Sequence, residues 1–211
     1  GVQLVVASKA GCCGAVRYHM NDQEGGLADM RRNIDAWWPY VDKVEAIVMT
    51  ASGCGVTVKE YGHLLAHDSA YAEKARRISE MTRDLSEIMP QFEAELAARV
   101  KGKITKRVAY HPPCTLQHGQ QIRGKVEGVL RAVGVDVVLC AESHLCCGSA
   151  GTYSVLQPEI AQALRDRKLA NLEATGAEEI VSANIGCLTH LQTGTETPVT
   201  HWVELVDRAL A

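Results

Sequence analysis

The sequence is poor in aromatic residues and has no excess of positive charge, and each shortage excludes a class of function. Aromatic side chains make up 5% of the 211 residues, with a single Phe, which leaves little material for a surface on which bases could stack. The formal net charge is −3, which argues against a partner held by phosphate attraction. We therefore expect no nucleic-acid partner.

Long hydrophobic runs and a secretory signal are also missing from the sequence. No apolar run approaches the roughly 20 residues that a membrane-spanning helix requires, so we expect no membrane span. The sequence has no Met at position 1, and an apolar run at residues 2–6 follows almost at once. A domain seldom begins inside such a run, so we expect the chain to be the C-terminal part of a longer protein.

Cysteine, in contrast, is plentiful, with eight residues in the chain. Without a secretory signal, clustered thiols more often bind metal or carry out redox chemistry than form a disulfide scaffold. Four of the eight occur as adjacent pairs, Cys12/Cys13 and Cys146/Cys147, and each pair is followed by Gly. Adjacent cysteines pair with each other only with strain, but they can present two thiolates to one metal centre.

Hydrophobic periodicity predicts strands that alternate with helices. This order implies parallel strands with right-handed crossovers and an α/β fold, with short, mainly parallel sheets flanked by helices. The predicted strands are residues 2–7, 45–51, 107–111, 135–140 and 179–183. The predicted helices are residues 27–38, 56–65, 69–100, 117–133, 158–174 and one from about residue 201, with a break near Pro90.

The two halves of the sequence repeat each other. The Cys-Cys-Gly run at residues 12–14 recurs at residues 146–148, and the Gly-Cys pair at residues 53–54 recurs at residues 186–187. We expect two similar layered lobes related by a pseudo-twofold repeat, residues 1–100 and residues 107–211, with the first lobe truncated at its N-terminus. The basic, polar stretch around residues 99–107 is interpreted as the linker between them.

Seven of the cysteines follow predicted strands at matching positions of the repeat, and they are the candidate metal ligands. The carboxyl ends of parallel strands meet at one edge of a sheet, so the thiols of each half should converge there. Soft thiolates favour zinc, copper(I) or an iron–sulfur cluster, and the C-x₂₋₄-C knuckles of zinc sites are absent. The candidates are Cys12, Cys13 and Cys54 in the first half and Cys114, Cys146, Cys147 and Cys187 in the second.

Other residues near these cysteines have simpler interpretations. Cys140 lies inside a predicted strand and is interpreted as a small buried hydrophobic residue. His111 and His144 flank the candidate ligands, and either could hydrogen-bond to cluster sulfur or be an ordinary loop histidine.

The cysteine pattern resembles the cysteine-rich CCG domain, which occurs in tandem in heterodisulfide reductase. The resemblance implies a [4Fe–4S] cluster, which in that reductase is noncubane and held by five cysteines. Here the fifth position is His190 in the second half and Thr57 in the first. This departure favours an ordinary four-cysteine cluster over the noncubane form, with His190 as a candidate extra ligand.

Longer runs resemble one branch, the iron–sulfur subunit of bacterial glycolate oxidase (glycolate dehydrogenase). They include residues 50–55, 110–118 and 144–153. The resemblance implies an electron-transfer subunit of an oxidoreductase complex that is not itself catalytic and passes electrons toward a quinone or another acceptor. It implies as partners an FAD-containing glycolate oxidase subunit and a further flavoprotein subunit, with FAD on the partner only. It also implies a cytoplasmic location, compatible with peripheral contact at the inner face of the membrane.

Three alternatives stay open at the level of sequence. The lactate-utilisation iron–sulfur protein shares the tandem architecture, although the Trp37-Trp38 pair and residues 111–117 favour the glycolate branch. A subunit like that of heterodisulfide reductase would act catalytically on disulfides, and the missing fifth cysteine argues against it. A zinc-bound scaffold that only docks other subunits is the third.

Overall fold

The chain divides into two compact units in a computed structural model that describes residues 1–100 and 102–211. The first unit comprises residues 1–49 and 54–83, and the second comprises residues 50–53 and 84–211. The predicted lobe bounds, 1–100 and 107–211, stay a prediction, and Lys101 of the predicted linker lies outside the described residues. No helix in the described residues is long and apolar enough to span a membrane.

The first unit is mainly helical and contains one small sheet. Its two strands, β1 (Ile47–Met49) and β2 (Thr82–Asp84), are neighbours in that sheet, and the last residue of β2 belongs to the second unit. Its helices are α1 (Ala15–His19), α2 (Gln23–Trp37), α3 (Ser52–Lys59), α4 (Tyr61–Leu64) and α5 (Ala72–Met81), and the first two residues of α3 belong to the second unit.

Helix α2 supplies much of the core of the first unit. Asp22 caps its N-terminus by accepting a hydrogen bond from the Gly25 N–H at 3.1 Å, as expected for an N-cap carboxylate. Met30 and Ile34 on its inner face are fully buried against a cluster that includes Tyr61. The helix predicted at residues 27–38 is confirmed, with a start four residues earlier.

The predicted strand at residues 2–7 is wrong. This segment has no regular secondary structure, and the side chains of Leu4 and Val6 are 82% and 85% exposed. A strand needs a neighbour to pair its backbone N–H and C=O groups, and none of the strands described in the first unit pairs with this segment. The apolar residues of this segment predicted a buried strand, but burial requires a packing partner that the local sequence does not specify.

The second unit is an α/β layer built on a four-stranded parallel sheet, which confirms the predicted fold class. The sheet order is β4-β3-β5-β6, and Ala109 in the central β3 lies opposite Val138 of β4 and Ile180 of β5. The strands are β3 (Arg107–His111), β4 (Asp136–Leu139), β5 (Glu179–Ser182) and β6 (Val199–His201). The helices are α6 (Leu85–Ile88), α7 (Glu93–Val100), α8 (Lys125–Ala132), α9 (Tyr153–Leu156), α10 (Pro158–Glu173), α11 (Ile185–Gln192) and α12 (Trp202–Leu210).

Strand β3 is buried on both faces, as expected for the centre of a parallel sheet covered by helices. Val108 and Tyr110 belong to one apolar cluster, which includes Trp202, whereas Ala109 belongs to a second cluster with Leu191. Residues 84–100 also contribute to the first of these clusters, through Leu85, Met89, Leu96 and Val100. This packing explains why that segment belongs to the second unit.

Candidate metal centre

The second unit brings four of the predicted ligands to the carboxyl edge of its sheet. Cys114 follows β3 and precedes a single π-helical turn (Thr115–Gly119), and Cys187 lies in the first turn of α11, directly after β5. Cys146 and Cys147 lie in the loop that follows β4. Cys147 is fully buried and Cys187 is 4% exposed, whereas Cys114 and Cys146 are partly exposed.

The four thiols lie close enough to shift one another's pKa, so they form one continuous group. The interaction with Cys146 raises the pKa of Cys114 and of Cys147, and it lowers the pKa of Cys146 itself. Cys147 and the neighbouring His111 ring both lower the pKa of Cys187. The group therefore contains thiols that ionise readily and thiols that keep their protons. A bound metal would replace those protons.

The backbone at Gly148 fixes the adjacent cysteines. Gly148 has φ +91°, and a Cβ at this position would lie 2.2 Å from the Ala161 carbonyl oxygen in α10. Its N–H donates to the Cys146 Sγ at 3.3 Å. Only glycine combines this left-handed conformation with so close an approach to a helix.

Two amide side chains that the sequence did not single out support the loops carrying the thiols. The buried Gln117 donates through Nε2 to the carbonyl oxygens of Pro112 at 3.0 Å and Ser143 at 3.2 Å, and so ties the loop of Cys114 to the loop before Cys146. Asn184 donates through Nδ2 to the Cys187 Sγ at 3.7 Å. Neither role has a local sequence signal, because each depends on which loops are neighbours in space.

His111, at the end of β3, lies beside the buried part of the thiol group. A ring nitrogen of His111 and the sulfurs of Cys147 and Cys187 all lie within 4.8 Å of one another. The residue is fully buried, and neither ring nitrogen has a hydrogen-bond partner among the described residues. Its backbone carbonyl is satisfied by the Ser182 hydroxyl at 2.8 Å.

His190 and Cys140 have other surroundings. The His190 Nε2 lies 3.2 Å from the Ala161 carbonyl oxygen, and its role as an extra ligand stays a prediction. Cys140 is buried among apolar residues that include Leu172, where burial raises its pKa. This environment agrees with the interpretation of Cys140 as a packing residue.

The first unit gathers its three candidate ligands in a similar way. The Cys13 and Cys54 thiols interact, which raises the pKa of Cys13 and lowers that of Cys54 to about 7. Cys12 is exposed. Asn33 donates to the Cys12 carbonyl oxygen and the Tyr61 hydroxyl donates to that of Cys13, both at 2.8 Å.

The turn after Cys13 repeats the geometry seen in the second unit. Gly14 has φ +87°, and a Cβ there would lie 2.5 Å from the Gly26 carbonyl oxygen in α2. In each unit, therefore, a left-handed glycine packs the Cys-Cys-Gly turn against a helix carbonyl. This agreement supports the internal repeat that the sequence predicted.

The thiols of the second unit converge at the carboxyl edge of a parallel sheet, and the first unit has a Cys-Cys-Gly turn of the same geometry. These features define a cysteine-rich α/β protein with a candidate metal centre. The chain belongs to the CCG cysteine-rich domain family, whose sequence model matches residues 1–59 and 108–192. The predicted family is thus confirmed.

Curated relatives carry names from two branches of this family. The chain is 51% identical to the glycolate oxidase iron–sulfur subunit of Escherichia coli over 211 aligned residues. The aligned region covers 100% of this chain and 51% of that protein. It is 29% identical to a probable glycolate oxidase iron–sulfur subunit of Bacillus subtilis, over 93% of this chain and 44% of that protein. It is 30% identical to lactate utilization protein A of Bacillus licheniformis, over 85% of this chain and 74% of that protein. The chain spans about half the length of the glycolate oxidase relatives.

Proposed function

We propose that this chain holds an iron–sulfur cluster and serves in electron transfer within a flavin-dependent glycolate oxidase. The observation that carries the proposal is the gathering of Cys114, Cys146, Cys147 and Cys187 at the carboxyl edge of the sheet, where the Cys147 and Cys187 sulfurs lie within 4.8 Å of each other. The 51% identity to a protein named as a glycolate oxidase iron–sulfur subunit supports the choice of complex.

The residues of the second unit fit an iron–sulfur cluster. Four thiols are the usual complement of such a cluster, and the lowered pKa values of Cys146 and Cys187 favour the thiolate forms that bind metal. A bound cluster of this kind supplies reversible one-electron transfer. The chain contributes burial through Cys147 and an N–H···S bond from Gly148, both of which tune reduction potential in such sites.

The proposed ligand set extends to the first unit. Cys12, Cys13 and Cys54 are proposed to bind metal there, in a site with one thiol fewer than in the second unit. His190 is proposed as a candidate extra ligand in the second unit. A [4Fe–4S] cluster, in the ordinary or the noncubane form, is the proposed cofactor.

The proposed partners follow from the assignment to a glycolate oxidase complex. An FAD-containing subunit would oxidise glycolate, and a further flavoprotein subunit would complete the complex, so this chain is not the catalytic part. Electrons would pass through the cysteine-bound centre toward a quinone or another acceptor. The proposed location is cytoplasmic, which is compatible with peripheral contact at the inner face of the cell membrane.

Metal analysis of anaerobically prepared protein tests the proposal. We expect iron and acid-labile sulfide in the wild type, with an EPR signal typical of a [4Fe–4S] cluster. Cys187→Ala should lose most of the iron of the second unit, because it removes a buried member of the thiol group. The matched control is Cys140→Ala, an equally buried thiol outside the group, which should leave iron and sulfide unchanged. A folded wild-type protein that contains only zinc, or no metal after reconstitution with iron and sulfide, would overturn the proposal.

A second candidate is the iron–sulfur component of lactate utilisation. It is favoured by the 30% identity to lactate utilization protein A over 182 residues. Both candidates place the same centre in this chain and differ only in the complex that it serves. Affinity purification from native cells, followed by assay of the copurified flavoprotein with glycolate and with lactate, separates the two.

A further inference from the structure

We propose that the imidazole of His111 is a ligand of the metal centre in the second unit. The proposal rests on the proposed function, because it assumes that Cys147 and Cys187 bind metal. It adds a donor that is not a cysteine. The centre would then have mixed thiolate and imidazole coordination.

The distances among the candidate donor atoms support direct coordination. A ring nitrogen of His111 and the sulfurs of Cys147 and Cys187 all lie within 4.8 Å of one another. With metal–sulfur bonds of about 2.3 Å and metal–nitrogen bonds of about 2.0 Å, tetrahedral coordination places two ligand atoms of one metal about 3.5–3.8 Å apart. Side-chain movements of about 1 Å would therefore bring all three atoms within reach of one metal ion.

The surroundings of His111 supply an independent argument. The ring is fully buried and neither nitrogen has a hydrogen-bond partner among the described residues. A neutral imidazole has one N–H donor and one lone pair, and burying both without partners is costly. A metal would satisfy the lone pair, and a neighbouring thiolate or cluster sulfide could accept the N–H.

Position in the fold explains how the ring is held. His111 is the last residue of β3, in register with Ser182 of β5. The Ser182 hydroxyl donates to the His111 carbonyl oxygen at 2.8 Å, which fixes the backbone at the end of the strand. The donor is therefore presented by a rigid strand at the edge where the thiols converge.

The number of donors indicates more than one metal ion. The contacts among thiols link Cys114 and Cys146 to Cys147 and Cys187, so His111 would be the fifth donor of a connected set. A single tetrahedral ion takes four ligands. Five donors therefore require more than one metal ion, and they also exceed the four terminal ligands of an ordinary [4Fe–4S] cluster.

His190 is the competing histidine. Its Nε2 lies 3.2 Å from the Ala161 carbonyl oxygen, so this nitrogen already has a polar neighbour. Neither ring nitrogen of His111 forms a hydrogen bond among the described residues, and a ring nitrogen lies within 4.8 Å of the Cys147 and Cys187 sulfurs. The structure therefore favours His111, and His190 provides a matched control.

Pulsed EPR on the full chain tests the proposal. The protein is labelled with ¹⁵N-histidine, reconstituted anaerobically with iron and sulfide, and compared with His111→Gln, His111→Cys and His190→Gln. We expect a strong nitrogen coupling, of the size shown by directly bonded imidazole, in the wild type and in His190→Gln. The coupling should be lost in both His111 variants.

His111→Cys keeps the test valid if His111→Gln fails to fold. This variant offers a thiolate in place of the imidazole, so iron and sulfide contents should match those of the wild type. The additional negative charge should lower the midpoint potential, since imidazole in place of thiolate raises the potential of iron–sulfur centres.

The possible outcomes separate this inference from the proposed function. A wild type that binds iron and sulfide but shows no histidine coupling, or only the weak coupling of a hydrogen bond to sulfur, overturns the inference alone. Coupling that survives in His111→Cys and disappears in His190→Gln also overturns it and assigns the ligand to His190. A wild type that takes up no iron overturns both proposals.

Discussion

Gly148 shows how a single residue without a side chain determines the shape of the thiol group. Its φ of +91° reverses the chain directly after Cys147, and its position against the Ala161 carbonyl oxygen leaves no room for a Cβ. Gly14 meets the same two requirements in the first unit, with φ +87° and a contact to the Gly26 carbonyl oxygen. In the Cys-Cys-Gly sequence, the two cysteines are therefore the candidate ligands and the glycine permits the backbone conformation that positions them.

Replacing Gly148 by alanine should destabilise the second unit and displace its thiols. The left-handed conformation costs an alanine about 1–2 kcal/mol, and the Cβ contact at 2.2 Å adds a steric cost of about 1–3 kcal/mol. We expect Gly148→Ala to lower the free energy of unfolding, measured by urea denaturation, by about 2–5 kcal/mol in total. The iron content after reconstitution should fall as well.

Gly151→Ala is the matched control for this substitution. Gly151 also has a positive φ, +62°, but a Cβ there would have no atom within 4 Å. Only the conformational cost of about 1–2 kcal/mol is expected, with the iron content unchanged. Equal losses of stability and iron in the two variants would contradict the argument from close packing.

At the scale of an element, helix α12 begins at a histidine cap that requires a neutral ring. The His201 Nδ1 accepts from the Val203 N–H at 3.3 Å, and the Nε2 lies 2.9 Å from the Thr50 carbonyl oxygen, to which it can donate. A protonated ring would lose the acceptor that caps the helix. Burial lowers the pKa of His201 below its usual value of 6.5.

This cap predicts a loss of stability in mild acid. Because the folded-state pKa of His201 is lower than the unfolded one, the unfolded chain binds the proton more readily. The contribution is complete above about pH 6.5 and is lost as the pH falls from there toward the folded pKa. His201→Asn should keep a cap, since Asn is a favoured N-cap residue, and should reduce the decrease in unfolding free energy between about pH 7 and pH 5.

Urea denaturation of metal-free protein across this pH range measures the effect. The control is His67→Asn, which removes an exposed histidine of the first unit and should leave the pH dependence of the second unit as in the wild type. An unchanged pH dependence in His201→Asn would show that the ring does not titrate in the way proposed.

Elements with strong local patterns were predictable from the sequence, whereas elements that depend on partners were not. Strand β3 has the predicted bounds, 107–111, because a run of apolar residues ends at Pro112. Strand β6 was missed, since its three residues are defined by parallel pairing with β5. Helix α11 was also missed, because a Gly and β-branched residues in its first turns weaken the helical pattern.

The candidate site shows the same division between local and tertiary information. Cys114, Cys146, Cys147 and Cys187 were placed at one edge from their spacing after predicted strands, and the structure brings them together. The proximity of His111 to Cys187 could not be predicted in the same way. It depends on how β3 and α11 are placed relative to each other and on the orientation of a ring at the end of β3.

At the scale of the whole molecule, the two units repeat one design with different numbers of thiols. The second unit has four connected cysteines, two of them buried. The first has three, and Cys12 is exposed. Fewer ligands and greater exposure both weaken the retention of a metal cluster, so the two units should differ in iron binding.

Substitution of one cysteine in each unit tests this asymmetry. Cys114→Ala removes one of four connected thiols and should lose most of the bound iron, together with the main EPR signal. Cys54→Ala removes one of the three thiols of the first unit, and most of the iron should remain. Because both cysteines are partly exposed, the two substitutions remove similar amounts of buried surface. A difference in iron content between the variants therefore reflects the number of ligands in each unit. If Cys54→Ala lost as much iron as Cys114→Ala, the three-thiol group would hold a cluster as firmly as the four-thiol group, and a further donor in the first unit would be required.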